Sequence, residues 1–176
     1  MKLSNKFTLA RIIGAPIVFL LYFLPIWFDV FIKPSTVILI PLLILLELTD
    51  YWDGHYARKH NEVSDFGKLF DPFADVTLHL TTFCCFMFSY AGNGTHDYYM
   101  PIIIFMLIVY REMTMTFLRM VAVKKGVSIA ARKGGKFKTV MYVIAGFFAL
   151  ALENVVRLEI PLPFFDTLRM VSVGLF

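Results

Sequence analysis

Charge is scarce in this sequence. Asp, Glu, Lys and Arg make up 17% of its 176 residues against 59% hydrophobic residues, and the mean hydropathy is +0.71. A soluble domain of this size carries more charge and less apolar surface, so the composition excludes one and points to a membrane protein. Cysteine is nearly absent. Cys84 and Cys85 are adjacent in an apolar run and cannot converge on a common partner as a metal-binding pair would, so they read as packing residues. The chain also lacks a linker, a low-complexity tract and any sign of a second domain. It reads as one domain over residues 1–176, with residues 91–97 as a glycine-containing polar connector. The opening Met-Lys-Leu-Ser-Asn-Lys resembles the charged start of a signal peptide, but no small-residue cleavage site follows, so it is kept as mature sequence.

What is present is a series of apolar runs. About 20 helical residues cross roughly 30 Å of hydrocarbon. Runs over about 9–32, 35–60, 66–90, 98–123, 137–152 and 162–176 predict six transmembrane helices, the last two shorter. The runs are continuously apolar rather than alternating, which favours helices over barrel strands and an all-α integral membrane fold. The first residues predict a short N-terminal interfacial helix, capped by Ser4 or Asn5, with Lys2, Lys6 and Arg11 facing phosphates. Twelve basic residues, from Lys2, Lys6 and Arg11 through Arg58, Lys59 and Lys68 to Lys124, Lys125, Arg132, Lys133, Lys136 and Lys138, fall on one side of the six-span arrangement, with Lys33 and Arg157 opposite. By the positive-inside rule that side is cytoplasmic and holds both termini. The net charge of +4 then reflects topology, not nucleic-acid binding.

The most informative stretch is Asp50-Tyr-Trp-Asp53-Gly54-His-Tyr-Ala57-Arg58, followed after eight residues by Gly67-Lys-Leu-Phe-Asp71-Pro-Phe-Ala-Asp75. Spacings of three and four put each aspartate pair on one helix face. The short polar loop between them predicts that the two helices are antiparallel neighbours, so that four carboxylates converge. Ionised carboxylates near hydrocarbon are costly unless paired or metal-bound, and four together repel one another. Oxygen-only ligands favour a hard ion, Mg²⁺ or Mn²⁺, over zinc. Such ions grip diphosphates and neutralise charge as a phosphoester bond breaks. Gly54, Ala57 and Gly67 would let a bulky ligand approach the backbone, and Arg58 would fork onto phosphate oxygens. Helix packing alone accounts for the glycines, but not for four aspartates at two helical spacings flanking an arginine.

The stretch resembles the signature of the CDP-alcohol phosphotransferase family, D-x-x-D-G-x-x-A-R, eight residues, G-x-x-x-D-x-x-x-D, with every fixed position present. The span count and the basic loop are similar as well. The resemblance implies a six-helix membrane bundle, usually a homodimer, in the cytoplasmic membrane with its site facing the cytoplasm. It implies that Asp50, Asp53 and Asp71 hold two metal ions on the CDP diphosphate, and that Asp75 helps bind metal and acts as general base. Gly54, Arg58 and Ser64 would hold the CDP-lipid, along with Asn5 and Thr8. Within the family, residues 5–11, Arg111-Glu112 and Gly135-Lys136-Phe137-Lys138-Thr139 are most similar to bacterial members that transfer a phosphatidyl group from CDP-diacylglycerol to glycerol 3-phosphate. One position departs: those members commonly carry lysine after the last motif aspartate, and this chain has Val76.

A phosphorylated acceptor needs cations, and Arg111, Arg119, Lys136 and Lys138 lie at or near the cytoplasmic ends of the fourth and fifth spans. Glu112 is a natural partner for Arg111, and Glu47, one turn before Asp50, would support the metal shell. His79, one turn beyond Asp75, reads as a hydrogen-bonded spacer rather than a ligand. Other acceptors would keep the same chemistry: inositol phosphate, another polyol or amino alcohol, or phosphatidylglycerol. A cation transporter using intramembrane acids is the reading from a different class.

Overall fold

A computed structural model describes residues 3–59, 65–90, 98–125 and 133–176, with the side chains of 3–6, 50–51, 53–59, 65–66, 68 and 133–136 outside that description. The described residues form six helices: α1 (Leu3–Phe28), α2 (Ile32–Lys59), α3 (Asp65–Cys85), α4 (Ile102–Lys124), α5 (Lys133–Arg157) and α6 (Phe165–Leu175). No strand occurs among them.

Three helices contain segments long and apolar enough to cross a bilayer: Phe7–Phe28, Ile32–Thr49 and Phe137–Arg157. Their outer faces carry exposed residues such as Ile17, Leu20, Val37, Leu45 and Ile144. Apolar residues so placed suit lipid, and the chain is a membrane protein. Pro16, Pro25, Pro41 and Pro72 all sit within helices, which bundles in lipid tolerate better than soluble helices do.

The separate N-terminal interfacial helix expected from the sequence is corrected. α1 runs unbroken from Leu3 to Phe28, so residues 3–8 are its first turns and Ser4 and Asn5 lie inside it. No helix breaker stands between Leu3 and Gly14 to divide it. The third run also ends early, at Cys85. Residues 86–90 turn back instead, with the Tyr99 and Met100 amides both donating to the Phe86 carbonyl, at 2.9 and 3.0 Å. α6 has 11 residues, a length of about 17 Å at 1.5 Å per residue.

α1 ends where Asp29 and Phe31 adopt left-handed φ angles of 54° and 59°. The Asp29 amide closes the last turn on the Pro25 carbonyl at 3.0 Å. This tight reversal folds α2 back along α1. The two approach closely where Gly14 faces Leu46, and a Cβ built on Gly14 would lie 2.5 Å from Leu46 Cδ2. Lipid gives helices little hydrophobic drive to associate, so close packing through small residues matters more. Ala15, Ala74, Ala145 and Ala149 are likewise buried.

The loop length between α2 and α3 suggested that they would be antiparallel neighbours. Among the described residues, α1 packs extensively against both. α2 and α3 meet at Glu47 and His79. The senses of the helices follow from the contacts. α1 and α3 run together, since Thr8 meets Asp71 and Tyr22 meets Phe88. α5 joins them, with Tyr142 beside His79 and Glu153 beside Ser89. α2 runs the other way, because Thr36 lies at Asn154 and Glu47 at His79. So does the chain from Tyr99, bonded to Glu153, to Glu112, bonded to Lys138. The bundle therefore has a Thr8 end and a Tyr22 end.

At the Tyr22 end a buried ion pair ties the helices together. Arg157 Nε donates to Glu153 Oε1 at 2.8 Å, and its other nitrogens donate to Ser35 Oγ at 3.2 Å and to the Tyr22 carbonyl at 2.9 Å. Glu153 also accepts from Ser89 Oγ, the Tyr90 amide and the Tyr99 hydroxyl. The Arg157 guanidinium lies over the Tyr22 ring, 4.5 Å from its centroid.

Candidate active site

The Thr8 end holds the residues singled out by the sequence. α2 continues as helix through Asp50, Asp53, Gly54, Ala57 and Arg58; the side chains of these residues, and all of Ser64, lie outside the described set. α3 supplies Gly67, which is buried, and Asp71 and Asp75, which are half-buried one turn apart.

Each of these two carboxylates is fixed by a neighbour. Thr8, fully buried on α1, donates its hydroxyl to Asp71 Oδ1 at 2.6 Å. A charge-assisted bond of this kind holds a carboxylate in one orientation. His79, one turn after Asp75, places Nδ1 2.9 Å from the Asp75 carbonyl and 3.2 Å from Asp75 Oδ1, while its Nε2 points to Glu47 Oε1 at 3.6 Å. His79 thus has the hydrogen-bonded role expected of it, and it braces Asp75 as well. Glu47, expected to support the metal shell, is set against His79. A cavity of about 10 Å³, the room of a single water, adjoins Glu47, His79 and Tyr142.

A second cluster lies where α4 faces α5. Glu112, buried on α4, accepts from Lys138 Nζ through both oxygens, at 3.0 and 3.1 Å. Arg111 pairs with the same carboxylate, and the Tyr142 hydroxyl donates to its Oε1 at 3.3 Å. Lys138 Nζ also stands over the Tyr142 ring, 4.8 Å from its centroid. That ring packs on His79, with centroids 5.8 Å apart, so one aromatic side chain joins the acidic pair to the cations.

The structure therefore brings Arg111 and Lys138 together. Arg119 lies two turns further along α4 and joins no ion pair among the described residues; Lys136 is helical in α5 and Asn5 in α1, with their side chains outside the described set. Sequence reasoning missed Tyr142, whose only local signal is its place one turn after Lys138. It also missed the pairing of Glu112 with Lys138, 26 residues apart, for which no local signal exists. Among the described residues no group of three or more His, Cys, Asp or Glu side chains is arranged to hold a metal. Asp50 and Asp53 fall outside that set. The donors that are described suit a hard divalent ion, being carboxylates one turn apart, each braced at Oδ1.

Apolar outer faces around a braced acidic pair and a buried carboxylate with two cations describe a helical membrane protein that holds charged groups between its helices. The sequence matches the CDP-alcohol phosphatidyltransferase family over residues 1–173, and the chain belongs to that family. It is similar to a protein of Treponema pallidum (strain Nichols) named CDP-diacylglycerol–glycerol-3-phosphate 3-phosphatidyltransferase, at 35% identity over 91% of this chain and 73% of the relative. A Bacillus subtilis (strain 168) protein of the same name is 34% identical over 97% of this chain and 87% of its own length. A Mycoplasma pneumoniae protein, again so named, is 36% identical over 59% of this chain and 42% of its own.

Proposed function

We propose that this enzyme transfers a phosphatidyl group from CDP-diacylglycerol to glycerol 3-phosphate, giving phosphatidylglycerophosphate and CMP. The observation that carries the reading is the cluster of Arg111, Glu112 and Lys138 joined through Tyr142 and His79 to Asp75. A phosphorylated alcohol needs cations for its phosphate and a base for its hydroxyl, and here one ring links the two. The names of the relatives support the same pair of substrates.

In this reading Asp75 takes the proton of the acceptor hydroxyl. The hydroxyl oxygen bonds to the lipid-side phosphorus as the bond to the CMP phosphate breaks, and CMP leaves with the electron pair. Asp50, Asp53, Asp71 and Asp75 would hold two Mg²⁺ or Mn²⁺ ions, whose charge would neutralise the diphosphate when bound. Thr8 keeps Asp71 oriented, and His79 does the same for Asp75. Gly54, Ala57, Arg58, Ser64 and Gly67 would bind the CDP-lipid, together with Asn5. Arg111 and Lys138 receive the acceptor phosphate, with Lys136 and Arg119 further along the same helices.

We infer further that α3, α4 and α6 lie in the bilayer with the three most apolar segments, as one domain in the cytoplasmic membrane. The alternating sense of the helices and the exposed Ile103, Leu107 and Phe117 of α4 support this placement. The basic residues gathered towards the Thr8 end favour a site facing the cytoplasm. The family resemblance supports a homodimer.

The test is CMP release by purified protein given CDP-diacylglycerol and one acceptor at a time. Glycerol 3-phosphate should support turnover, and chelation of divalent ions should stop it. Faster turnover with inositol phosphate, another alcohol or phosphatidylglycerol would reassign the acceptor while keeping the chemistry. Ion flux through liposomes without CMP release would favour a transporter.

A further inference from the structure

We propose that Glu112 is the positioning residue of the acceptor-phosphate site, a buried carboxylate that gathers Arg111 from its own helix and Lys138 from α5 into one anion-binding pair. The proposal rests on the reading that Arg111 and Lys138 receive the acceptor phosphate.

Exposure orders the cluster. The Glu112 side chain is 7% exposed, Lys138 21% and Arg111 47%. The carboxylate therefore lies deepest, with the cations more exposed, where an incoming phosphate would meet them first. One negative charge faces two positive ones, which leaves the cluster a surplus for an anionic ligand. The helices are arranged to match. Among the described residues α4 and α5 make few close backbone approaches, and the long Lys138 side chain and Tyr142 reach across to Glu112.

Lys138 is a flexible side chain, and left alone it would sample many rotamers. Here both Glu112 oxygens and the face of Tyr142 hold its ammonium. Such preorganisation saves the acceptor from ordering the site on binding. Because the Tyr142 ring also packs on His79, the cations are placed relative to the helix that carries Asp75. Glu112 acts through its partners, and the phosphate meets the cations.

The experiment is steady-state kinetics on the full chain in mixed micelles of CDP-diacylglycerol, with Glu112→Gln, Lys138→Ala, Arg111→Ala and the Glu112→Gln/Lys138→Ala double variant. Glu112→Gln keeps the shape of the side chain and removes its charge. It should raise KM for glycerol 3-phosphate roughly tenfold, the scale of a lost charge-assisted contact, with KM for CDP-diacylglycerol and kcat much less affected. The double variant should be worse than Lys138→Ala only by the part that Glu112 exerts through Arg111, and so should fall short of the product of the two single effects. Equal weakening of both substrates, or multiplied effects in the double variant, would overturn the proposal and leave Glu112 a structural tie. If Lys138→Ala raises the acceptor KM while Glu112→Gln does not, only the role of Glu112 falls. Unchanged acceptor KM in both Arg111→Ala and Lys138→Ala would remove the acceptor site itself. Tyr142→Phe takes away the hydroxyl bond to Glu112 and serves if Glu112→Gln does not fold: a raised acceptor KM supports the proposal, and an unchanged one overturns it.

Discussion

At the Tyr22 end, Glu153 and Arg157 are both fully buried, one acid against one base, and six further hydrogen bonds or ring contacts surround them. At the Thr8 end, Asp75 is 24% exposed and Arg111 47%, and the cations outnumber the acid that holds them. The first arrangement uses charge up internally, so it can fix helices but has nothing left to offer a ligand. The second keeps charge in reserve on side chains that are not fully buried. Burying an ion pair is costly in both places, and a completed set of partners is what makes it tolerable at the Tyr22 end.

The comparison can be broken from either side. The largest effect should come from Asp75→Asn, which removes the proposed proton acceptor and should lower kcat on the order of a thousandfold, while the thermal unfolding midpoint in detergent stays near that of the parent. Turnover that survives would end the role of Asp75 as base. Next, Arg157→Met leaves Glu153 buried and unpaired and should destabilise the fold by about 3–5 kcal/mol. Read by thermal unfolding, this loss should leave both KM values of the remaining folded protein unchanged. A change in acceptor KM would show that the two ends are coupled.

Thr8→Val should have a smaller effect. It keeps the shape and deletes the bond to Asp71, and kcat/KM should fall roughly tenfold for loss of a hydrogen bond to a charged group. Full activity would mean that Asp71 is held well enough without it. The smallest effect belongs to Gly14→Ala. Its methyl group would press on the flexible end of Leu46 and should cost about 1 kcal/mol, seen as a lowered unfolding midpoint with unaltered kinetics.

How much of this was legible in the sequence depends on how local the signal is. The helices were readable because apolar runs of bilayer length leave few alternatives. Their ends were less so: α3 stops at Cys85 although its apolar run continues to Tyr90, because residues 86–90 are needed for the turn that meets Glu153. The aspartates announced themselves through spacings of three and four. Thr8 was assigned to the lipid; its bond to Asp71, which joins residues 63 apart and depends on α1 packing along both α2 and α3, is not revealed by loop length. Arg157 was read only as a charge on the side opposite the basic loops, although Glu153 four residues earlier was a visible partner. The partnership of Arg111 with Glu112 was read correctly. The arrival of Lys138 at the same carboxylate required the fold.

The reversal at Asp29–Phe31 also works as a ruler. From it, α1 runs back about twenty residues to Thr8, and α2 runs forward a similar number to Asp50 and Asp53. At 1.5 Å per residue each arm measures about 30 Å, close to the thickness of the hydrocarbon layer. Once the reversal rests at one face of the bilayer, arms of equal length carry the threonine and the first motif aspartates to the opposite face at the same depth. In the proposed reaction, the level at which a water-soluble acceptor would meet a lipid donor is thus set by counting residues from a turn outside the proposed site.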